Sequence, residues 1–552
     1  MGKRGRRALA IVALLAIAGG WAFHRYWYYL PGIIGRLRDP IGAPRDVAWT
    51  PGPATAPAAA GTRPPNIVLI LADDLGYNDL SFAGGGVADG ALQTPNIDSI
   101  AKDGVTFRQG YAGNATCAPS RAAIMTGRYA TRFGFEFTPA PVAFSKLVGH
   151  NLEQGGRAPI YHGERESAVP PVDRMAVPAT ETTLAELLRA QGYRTLFLGK
   201  WHLGETDAAR PEARGFDEVL GFLPGASLYL PSGDARGEES RQDFDPIDKF
   251  LWANLPFAVE HDGGKRFEPR EYMTDYLANE AVQAITANRT RPFFMYLAFN
   301  APHTPLQALK SDYDALPGIA DHRLRVYAAM IRALDRGVGK VLTALRDDGL
   351  ADNTLVIFTS DNGGANYIGL PDINRPFRGW KATFFEGGIH VPFFMRWPGV
   401  LPAGSTMSAP VAHVDIFATA AAAAGATPAR ERPLDGVDLV PFATGKRDGA
   451  PHESLFWRSG GYKTLIAGDW KLQVADNPAK SWLFNLAIDP TEQHDLSSTT
   501  PDILAGLQAR LAAIDVQQSA PLWPSLIEAP VLIDKPLGVP SDPDDDYVYW
   551  SN

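Results

Sequence analysis

Continuous runs of apolar residues alternate with amphipathic stretches along most of this chain. A run that is rich in β-branched residues and bounded by turn residues is typical of a strand buried on both faces of a parallel sheet. Four such runs predict strands over residues 66–72, 194–199, 292–299 and 354–360. Apolar positions at helical spacing predict helices over residues 182–190, 273–288 and 324–345. The pattern therefore predicts an α/β fold with a mostly parallel sheet.

The N-terminal residues 1–30 have the pattern of a targeting segment. A basic start precedes an apolar run over residues 8–23, which is shorter than the roughly 20 residues of a spanning helix and fits a signal peptide. An aromatic cluster at residues 26–30 is typical of membrane interfaces, so an uncleaved signal anchor, with membrane anchoring through this segment, is the alternative. Both predict an exported protein, periplasmic or otherwise extracytoplasmic. Residues 31–64, which become rich in Pro and Ala, are predicted to form a tether.

Charge and cysteine content argue against a nucleic-acid-binding protein and against a disulfide-stabilised one. The chain has 52 basic and 61 acidic residues, a net charge of −9, which argues against a nucleic-acid partner. Its single cysteine excludes an internal disulfide framework, even though export is predicted.

The one cysteine lies in a stretch with its own chemistry. Cys117 precedes Pro119, whose fixed φ suits the first turn of a helix, and Gly127 predicts the end of that helix. We therefore predict that Cys117 lies just before a helix N-terminus, where free N–H groups and the helix dipole favour an oxyanion. Arg121 adds a forked cationic donor near the same point. Taken alone, a single cysteine is more often a small buried apolar residue.

Polar side chains follow the predicted strands. Asp73 and Asp74 come directly after the first strand, and Asp361 and Asn362 directly after the last. Because ligands of open α/β sheets bind at the carboxyl ends of the strands, we expect these groups to meet. Their oxygen ligands suit a hard dication such as Ca²⁺, with Mg²⁺ as the competitor. Considered singly, acidic residues after a strand more often lie in solvated turns.

Lysines and histidines add to this predicted polar edge. Lys200 and His202 follow the strand at 194–199, and in an extended segment they would share one face. His303 lies in a loop restricted by two prolines, and Lys381 follows the last predicted strand. Individually, each is more often structural or exposed. Jointly with the acidic groups, they predict one functional site.

In their order along the chain and in their local sequence, these motifs resemble those of the type I sulfatases over residues 65–497. The most specific are Cys117-Ala118-Pro119-Ser120-Arg121 and Gly199-Lys200-Trp201-His202-Leu203-Gly204. Supporting segments are Ala301-Pro302-His303, Ser360-Asp361-Asn362-Gly363 and Glu386-Gly387-Gly388-Ile389. The resemblance implies an alkaline-phosphatase-like fold, with a large mixed, mostly parallel sheet between helices, in a catalytic domain over residues 65–430. It also implies a C-terminal subdomain over residues 431–552 with a short antiparallel sheet.

The resemblance also implies the chemistry. Cys117 would be converted to formylglycine (3-oxoalanine) by a formylglycine-generating or radical maturation enzyme. A Ca²⁺ or Mg²⁺ ion would be bound by Asp73, Asp74, residue 117, Asp361 and Asn362. The implied catalytic residues are Cys117, Arg121, Lys200, His202, His303 and Lys381. One hydroxyl of the hydrated aldehyde would attack sulfur with Asp361 as base, His303 would protonate the leaving alcohol, and His202 would deprotonate the second hydroxyl to release sulfate.

The expected function is therefore a sulfuric ester hydrolase of arylsulfatase type, acting on a sulfated small molecule or a sulfated sugar. A phosphate or phosphonate ester hydrolase of the same superfamily is one alternative. A non-catalytic carbohydrate-binding relative is another, but it predicts damage to the motif around Cys117, and the motif is intact. Many sulfatases place a further hydroxyl residue in the site, and Ser227 and Ser232 are the candidates for that position.

Overall fold

The computed structural model describes residues 3–55 and 63–552. The α-helices of these residues are, in chain order, α1 Lys3–Tyr26, α2 Leu30–Arg38, α3 Val87–Gly90, α4 Pro95–Lys102, α5 Cys117–Thr126, α6 Val142–Asn151, α7 Leu184–Ala190, α8 Pro246–Asn254, α9 Met273–Asn288, α10 Lys310–Asp314, α11 His322–Asp347, α12 Glu386–Ile389, α13 Val414–Ala423, α14 Val440–Ala443 and α15 Pro501–Asp515.

The strands are β1 Asn66–Ala72, β2 Val105–Phe107, β3 Gly110–Tyr111, β4 Ile160–Tyr161, β5 Arg194–Lys200, β6 Glu218–Phe222, β7 Gly237–Ser240, β8 Glu260–His261, β9 Phe293–Ala298, β10 Leu306–Leu309, β11 Thr354–Ser360, β12 Phe393–Arg396, β13 Ser405–Met407, β14 Val411–Ala412, β15 Leu455–Ser459, β16 Tyr462–Ala467, β17 Trp470–Asp476, β18 Ala479–Asn485, β19 Ile527–Leu532 and β20 Tyr547–Ser551. The predicted strands at 66–72 and 354–360 and the predicted helix at 273–288 match residue for residue.

The largest sheet of the described chain has nine strands in the order β13-β2-β12-β11-β1-β9-β5-β6-β8. Its central strands β11, β1, β9, β5 and β6 run parallel, and β12 and β8 pair antiparallel on either side of them. Leu69 of β1 lies beside Ile357 of β11 and Tyr296 of β9. The predicted mixed, mostly parallel sheet is confirmed, and the four predicted strands lie side by side at its centre.

Helices cover both faces of this sheet because successive strand residues point to opposite sides. Val68 and Ile70 of β1 belong to the core formed with α4, α9 and α11. Leu69 and Leu71 belong to the core on the other face, formed with α5, α7 and α13. Burial on both faces explains why the strands read as continuous apolar runs.

Two smaller sheets complete the C-terminal part. Strands β15-β16-β17-β18 form an antiparallel sheet in sequence order, which confirms the predicted short antiparallel sheet, and α15 packs on it through Leu511. Strand β19 pairs with β20 and also with β4, so the end of the chain returns to the main body. The predicted divisions after residues 30, 64 and 430 stay predictions.

The N-terminal segment contacts the main body well before β1. The Gly32 N–H donates to Asn254 Oδ1 of α8 (2.6 Å), and the buried Trp49 donates its indole N–H to Glu280 (2.9 Å). Part of the range predicted as a tether is thus held on the body, and residues 56–62 of it lie outside the described residues. Across residues 3–55 and 63–552, no helix combines the length and the apolarity needed to cross a membrane.

A buried acid between the end of β1 and helix α11, Asp79, provides a first testable prediction. Asp79 Oδ2 accepts hydrogen bonds from the Gly76 N–H (2.7 Å) and the Tyr327 hydroxyl (2.5 Å), and burial raises the pKa of Asp79 to about 8. The folded protein therefore keeps a proton that the unfolded chain loses above about pH 4, so this residue's contribution to stability falls as the pH rises. We expect Asp79→Asn, which cannot ionise, to exceed the wild type in stability by about 1–3 kcal/mol near pH 9 and to differ little near pH 5.

Thermal unfolding at both pH values measures this difference. Asp103→Asn, at an exposed position, is the control and should reproduce the wild-type pH profile. Identical profiles for the two variants would show that Asp79 does not carry the effect.

Candidate active site

Cys117 is the first residue of α5, whereas the sequence predicted it just before the helix. Thr116 is the N-cap in extended conformation, and Gly127 ends the helix with a left-handed backbone (φ 66°). The helix starts earlier because proline is tolerated throughout the first turn, where its missing N–H costs nothing. All residues of α5 are buried, so its N-terminal N–H groups lie in the interior beside the Cys117 side chain.

The acidic groups that follow β1 and β11 meet at Cys117, as predicted from the strand ends. Cys117 Sγ lies 3.6 Å from Asp73 Oδ1 and 3.7 Å from Asp74 Oδ1. Asn362 Nδ2 donates to Asp74 Oδ1 (2.7 Å), and Asp361 Oδ1 accepts the Asp74 N–H (3.1 Å). The parallel pairing of β1 with β11 places both acidic pairs at the same edge. Asp74 has a left-handed backbone (φ 60°), a conformation often found at functional sites.

Three cationic side chains balance the three carboxylates. Asp361 Oδ2 pairs with Arg121 (2.8 Å), Asp73 Oδ2 with Lys200 (2.6 Å) and Asp74 Oδ2 with Lys381 (2.8 Å), and Arg121 also lies 3.6 Å from Asp73 Oδ1. Lys381 Nζ also lies 3.2 Å from Cys117 Sγ. The buried charges are therefore paired, which they must be to remain ionised in the interior.

Burial and these ion pairs shift the pKa values of the site. Burial raises the pKa of Asp73 to about 7, and the neighbouring Asp361 adds to the effect. Burial acts in the same direction on Asp74, but Lys381 and His303 outweigh it and hold that pKa below its usual range. Burial and the charge of Asp361 raise the pKa of the Cys117 thiol. An unmodified Cys117 would therefore be a poor nucleophile, because the thiolate is the reactive form.

Both predicted histidines reach the same cavity. His303 Nδ1 contacts the Thr304 carbonyl, which leaves Nε2 facing Asp74 Oδ2 at 3.6 Å. His202 has a left-handed backbone (φ 60°), so the extended geometry predicted for it is wrong. The His202 ring fits because residue 225 is a glycine. A Cβ at this position would lie only 2.7 Å from the ring. Burial lowers the pKa of both imidazoles, that of His303 to about 3.

A cluster of side chains at Cys117 fits a metal ion. Ligand atoms of Asp73, Asp74, Cys117 and His303 lie within 4.8 Å of one another. Asn362 adjoins this cluster, and its buried Oδ1 has no hydrogen-bond partner in the described chain. A bare carbonyl oxygen beside carboxylates suits a hard cation, whereas a thiol suits a soft one. The set becomes consistent with a hard cation when residue 117 carries oxygen in place of sulfur.

Two residues near Cys117 escaped prediction from the sequence. The Tyr367 hydroxyl donates to Asp74 Oδ2 (3.1 Å) and lies 3.0 Å from Lys381 Nζ. The His413 ring lies 3.0 Å from both Ser120 Oγ and Thr359 Oγ1, so it ties α5 to β11. Neither Tyr367 nor His413 belongs to a motif or directly follows a predicted strand, and the sequence carried no signal for them.

A hydroxyl group next to the Cys117 cluster comes from Tyr367, whereas the hydroxyls of Ser227 and Ser232 make other contacts. Ser227 Oγ donates to the carbonyl groups of Leu228 and Pro256 (3.2 and 3.0 Å). Ser232 Oγ accepts from Arg241 at the surface (2.8 Å). Both serine hydroxyls are therefore engaged elsewhere.

A cavity of about 450 Å³ opens over Cys117. Its floor is formed by Cys117, His202, His303, Tyr367 and Lys381, and its walls by residues from 138–152, 247–255 and 527–552. Four of the six predicted catalytic residues, Cys117, His202, His303 and Lys381, thus lie at the base of one cavity large enough for a drug-sized molecule.

The sulfatase family model matches residues 65–426, which include every residue of the Cys117 cluster described above but not the cavity wall at 527–552. The chain belongs to the sulfatase family. Steryl-sulfatase of Mus musculus is 33% identical over 480 residues, 74% of this chain and 70% of the relative. N-acetylgalactosamine-6-sulfatase of Homo sapiens is 29% identical over 513 residues, 85% of this chain and 89% of the relative.

Among solved structures, Ps i-CgsB in complex with k-i-k-neocarrahexaose is similar to this sulfatase with 35% identity and a TM-score of 0.69, over 84% of this chain and 95% of that chain. The predicted alkaline-phosphatase-like fold is confirmed. The protein is a sulfuric ester hydrolase.

Removing the Tyr367 hydroxyl tests whether it belongs to the sulfatase machinery. In Tyr367→Phe, Lys381 and Asp74 each lose a hydrogen-bond partner next to Cys117, so we expect kcat/KM on 4-nitrophenyl sulfate to fall about tenfold. Tyr313→Phe is the matched control, since its hydroxyl contacts only the exposed His322 (3.0 Å) among the described residues. Equal values of kcat/KM for both variants would show that the Tyr367 hydroxyl does not contribute to hydrolysis.

Proposed function

We propose that this sulfatase cleaves sulfate monoesters to an alcohol and inorganic sulfate through a formylglycine made from Cys117. The position of Cys117 carries the proposal: it begins a buried helix, between the Asp73 and Asp74 carboxylates and 3.2 Å from Lys381 Nζ. A formylglycine hydrate at this point supplies one hydroxyl that can attack sulfur and a second whose deprotonation releases sulfate. An unmodified thiol has no hydroxyl that could release sulfate in this second step.

We also propose a resident divalent cation, Ca²⁺ in preference to Mg²⁺. The residues that would hold it are Asp73, Asp74 and residue 117 of the cluster described above, together with Asp361 and Asn362, which the family resemblance implies. The bare Asn362 Oδ1 supports this assignment, and His303, the fourth member of the cluster, is assigned to proton transfer. When bound, such an ion polarises the sulfate ester. Because three carboxylates and three cationic side chains already balance, the loaded site would carry a net positive charge that suits an anionic sulfate.

The remaining roles follow from where each side chain lies. Lys200, Lys381 and Arg121 offset negative charge around residue 117, and such a group typically contributes about 10²–10³ in rate. His303 lines the cavity with Nε2 directed inward. Because its Nδ1 N–H faces the Thr304 carbonyl, Nε2 must first take up a proton before His303 can protonate the leaving alcohol, and a negatively charged sulfate in the cavity favours that protonated form. His202, also in the lining, is assigned to deprotonation of the second hydroxyl. Asp361 remains the assigned base for the attack, and its Oδ2 also holds Arg121 in place.

The names of the relatives indicate two classes of alcohol. The names of human N-acetylgalactosamine-6-sulfatase and of the Ps i-CgsB complex favour a sulfated sugar as substrate. The name of mouse steryl-sulfatase favours a steryl sulfate. Either ester presents the same sulfate group to Cys117.

The decisive experiment is the mass of the tryptic peptide that contains residue 117, from protein expressed with a maturation enzyme. It is paired with hydrolysis of 4-nitrophenyl sulfate and 4-nitrophenyl phosphate. An aldehyde in place of the thiol, with sulfate preferred, is the expected result. An unmodified thiol in active protein, or preference for phosphate, would reject the proposal in favour of the phosphohydrolase alternative.

Removal of the metal provides a separate test. Dialysis against a chelator should abolish hydrolysis of 4-nitrophenyl sulfate, and Ca²⁺ should restore it better than Mg²⁺. Full activity after the chelator, with no metal detected in the protein, would exclude a resident cation.

We further propose that the protein is exported, with its N-terminal segment as signal or anchor. Supporting this, helix α1 exposes a series of large apolar side chains: Ile11, Val12, Leu14, Leu15, Ile17, Trp21 and Phe23. Fractionation of the expressing cells and the mass of the mature N-terminus test export and distinguish a cleaved signal from a retained anchor. Full-length protein in the cytoplasmic fraction would reject export.

A further inference from the structure

The alcohol part of the substrate must occupy the cavity over Cys117, and the walls of this cavity are apolar. One wall is formed by α8 and its C-cap residue Leu255. Ile247, Leu251 and Leu255 are spaced four residues apart and line the cavity as one stripe. The neighbouring wall is α6, whose Phe144 contacts Phe250 of α8 edge to face, with ring centroids 5.3 Å apart. Helices α6 and α8 thus meet through aromatic side chains at this wall.

The C-terminal strands close the third side. Pro530 and Val531 of β19 and Trp550 of β20 line the cavity there. Ile527 of β19 and Ile247 of α8 belong to one apolar cluster. The three walls therefore form a continuous apolar surface around the catalytic floor.

The amide side chains in these walls are already engaged with other protein groups. Gln154 Oε1 accepts from Asn366 Nδ2 (3.2 Å), and Gln154 Nε2 donates to the Lys535 carbonyl (3.1 Å). Asn552 exchanges two hydrogen bonds with the backbone of Thr138 (2.7 and 3.2 Å). The buried Thr138 hydroxyl, in contrast, has no partner among the described residues. A sugar ring would bury several hydroxyl groups against these walls, and each unpaired hydroxyl would oppose binding.

The charged side chains that line the cavity limit the number of sulfate groups on the substrate. Within the described chain, Lys381, His202 and His303 of the floor are the basic side chains that line it, and Glu205 adds a carboxylate. A second sulfate on the substrate would find no cation among the described lining residues outside the floor, and an ionised Glu205 would repel it. The cavity therefore suits an ester with a single sulfate group.

We propose that the natural substrate is the sulfate monoester of a large apolar ring alcohol, whose carbon skeleton fills this cavity. This assignment rests on the proposed function for the sulfate end of the molecule, while the walls alone decide the alcohol.

The test compares cyclohexyl, decahydro-2-naphthyl and perhydrophenanthryl sulfates, which add rings while keeping a secondary alcohol as leaving group. We expect kcat/KM to rise at least about tenfold with each ring, because each ring adds apolar surface that the walls remove from water. The three-ring ester should exceed galactose 4-sulfate by about 100-fold or more. A flat series, or a preference for galactose 4-sulfate, would overturn the proposal.

A variant of the α8 wall links the ring preference to the cavity. Leu251→Gln places an amide in the apolar stripe, and we expect the ratio of kcat/KM for three rings over one ring to fall about tenfold. Lys249→Gln, on the exposed side of the same helix, should keep the wild-type ratio. If Leu251→Gln does not fold, Ile247→Asn tests the same stripe one turn earlier. An unchanged ratio in a folded wall variant would reject the assignment.

Binding separates the substrate class from the proposed chemistry. Calorimetric titration of Cys117→Ala with the one-ring and three-ring sulfates should show at least about tenfold tighter binding of the three-ring ester. Equal affinities would overturn the proposal whether or not hydrolysis is seen. Tighter binding of three rings with no hydrolysis by the wild type would support the substrate class and reject only the formylglycine chemistry.

Discussion

Cys117→Ala is expected to lower kcat on 4-nitrophenyl sulfate by about 10⁴-fold or more while leaving the fold intact. The variant removes the atom at the centre of the site, next to Asp73, Asp74 and Lys381. The side chain is small and its backbone begins a helix that is held elsewhere, at Ser120 by His413. We expect a loss of stability of only about 1–2 kcal/mol, as for a small buried truncation.

Cys117→Ser refines this prediction. A serine keeps one hydroxyl but has no second hydroxyl to release sulfate, so at most one turnover per molecule is expected. Rapid-quench kinetics with 4-nitrophenyl sulfate distinguishes a single burst from steady turnover, and thermal unfolding checks the fold of both variants. Turnover by Cys117→Ala at the wild-type rate would move the nucleophile to another residue.

Lys471→Met is expected to destabilise the protein by about 3–5 kcal/mol, the typical cost of removing one partner from a buried ion pair. Lys471 lies on β17, and its Nζ lies 2.7 Å from Glu386 Oε1 and 3.0 Å from Glu492 Oε1. All three side chains are at most 2% exposed. Methionine fills the same space but leaves two buried carboxylates without a cation, and it thereby weakens the junction between the C-terminal sheet and α12.

The same junction adjoins the site. Glu386 is followed by Gly387, whose carbonyl oxygen would lie 1.9 Å from a Cβ on Gly363. The motif after Asn362 and the motif after Glu386 therefore touch backbone to backbone, which only glycine allows. A shift of Glu386 in the Lys471 variant should reach Asn362 through this contact and lower kcat as well as stability.

Urea unfolding near pH 8 measures the effect, with Lys463→Met as the matched control. Lys463, on the adjacent strand β16, pairs with Asp515, and both side chains are partly exposed, so we expect a change below about 1 kcal/mol. The deficit of Lys471→Met should shrink near pH 5, since protonation removes the unpaired buried charge. Adding Glu492→Gln should recover part of the loss. A difference within error between the two lysine variants would show that the buried network contributes nothing.

Much of the fold follows from local patterns. The strands β1 and β11 and the helix α9 match their predicted bounds because two-sided burial and helical spacing are written into consecutive residues. The start of α5 was missed by a few residues, since Pro119 is compatible with several positions of the first helical turn. The left-handed backbone of His202 was also missed, because a positive φ at a non-glycine residue depends on surrounding contacts.

The site residues also fall into those that could be predicted from the sequence and those that could not. The groups at Asp73, Asp74, Asp361 and Asn362 could be predicted to meet, because parallel strands bring their carboxyl ends to one edge. Tyr367 could not be predicted, since its loop reaches Asp74 only after the chain has folded.

The sequence by itself determined the family, the central strands and the residues that surround Cys117, because these depend on short motifs and local periodicity. The tertiary structure alone decided how the charges pair, that Tyr367 completes the site and that three distant segments, 138–152, 247–255 and 527–552, enclose an apolar cavity. Those features arise between residues hundreds of positions apart, and pair contacts of this kind leave no period or motif in either segment. The reacting end of the substrate can thus be read from the sequence, whereas the end that distinguishes one substrate from another depends on the folded walls.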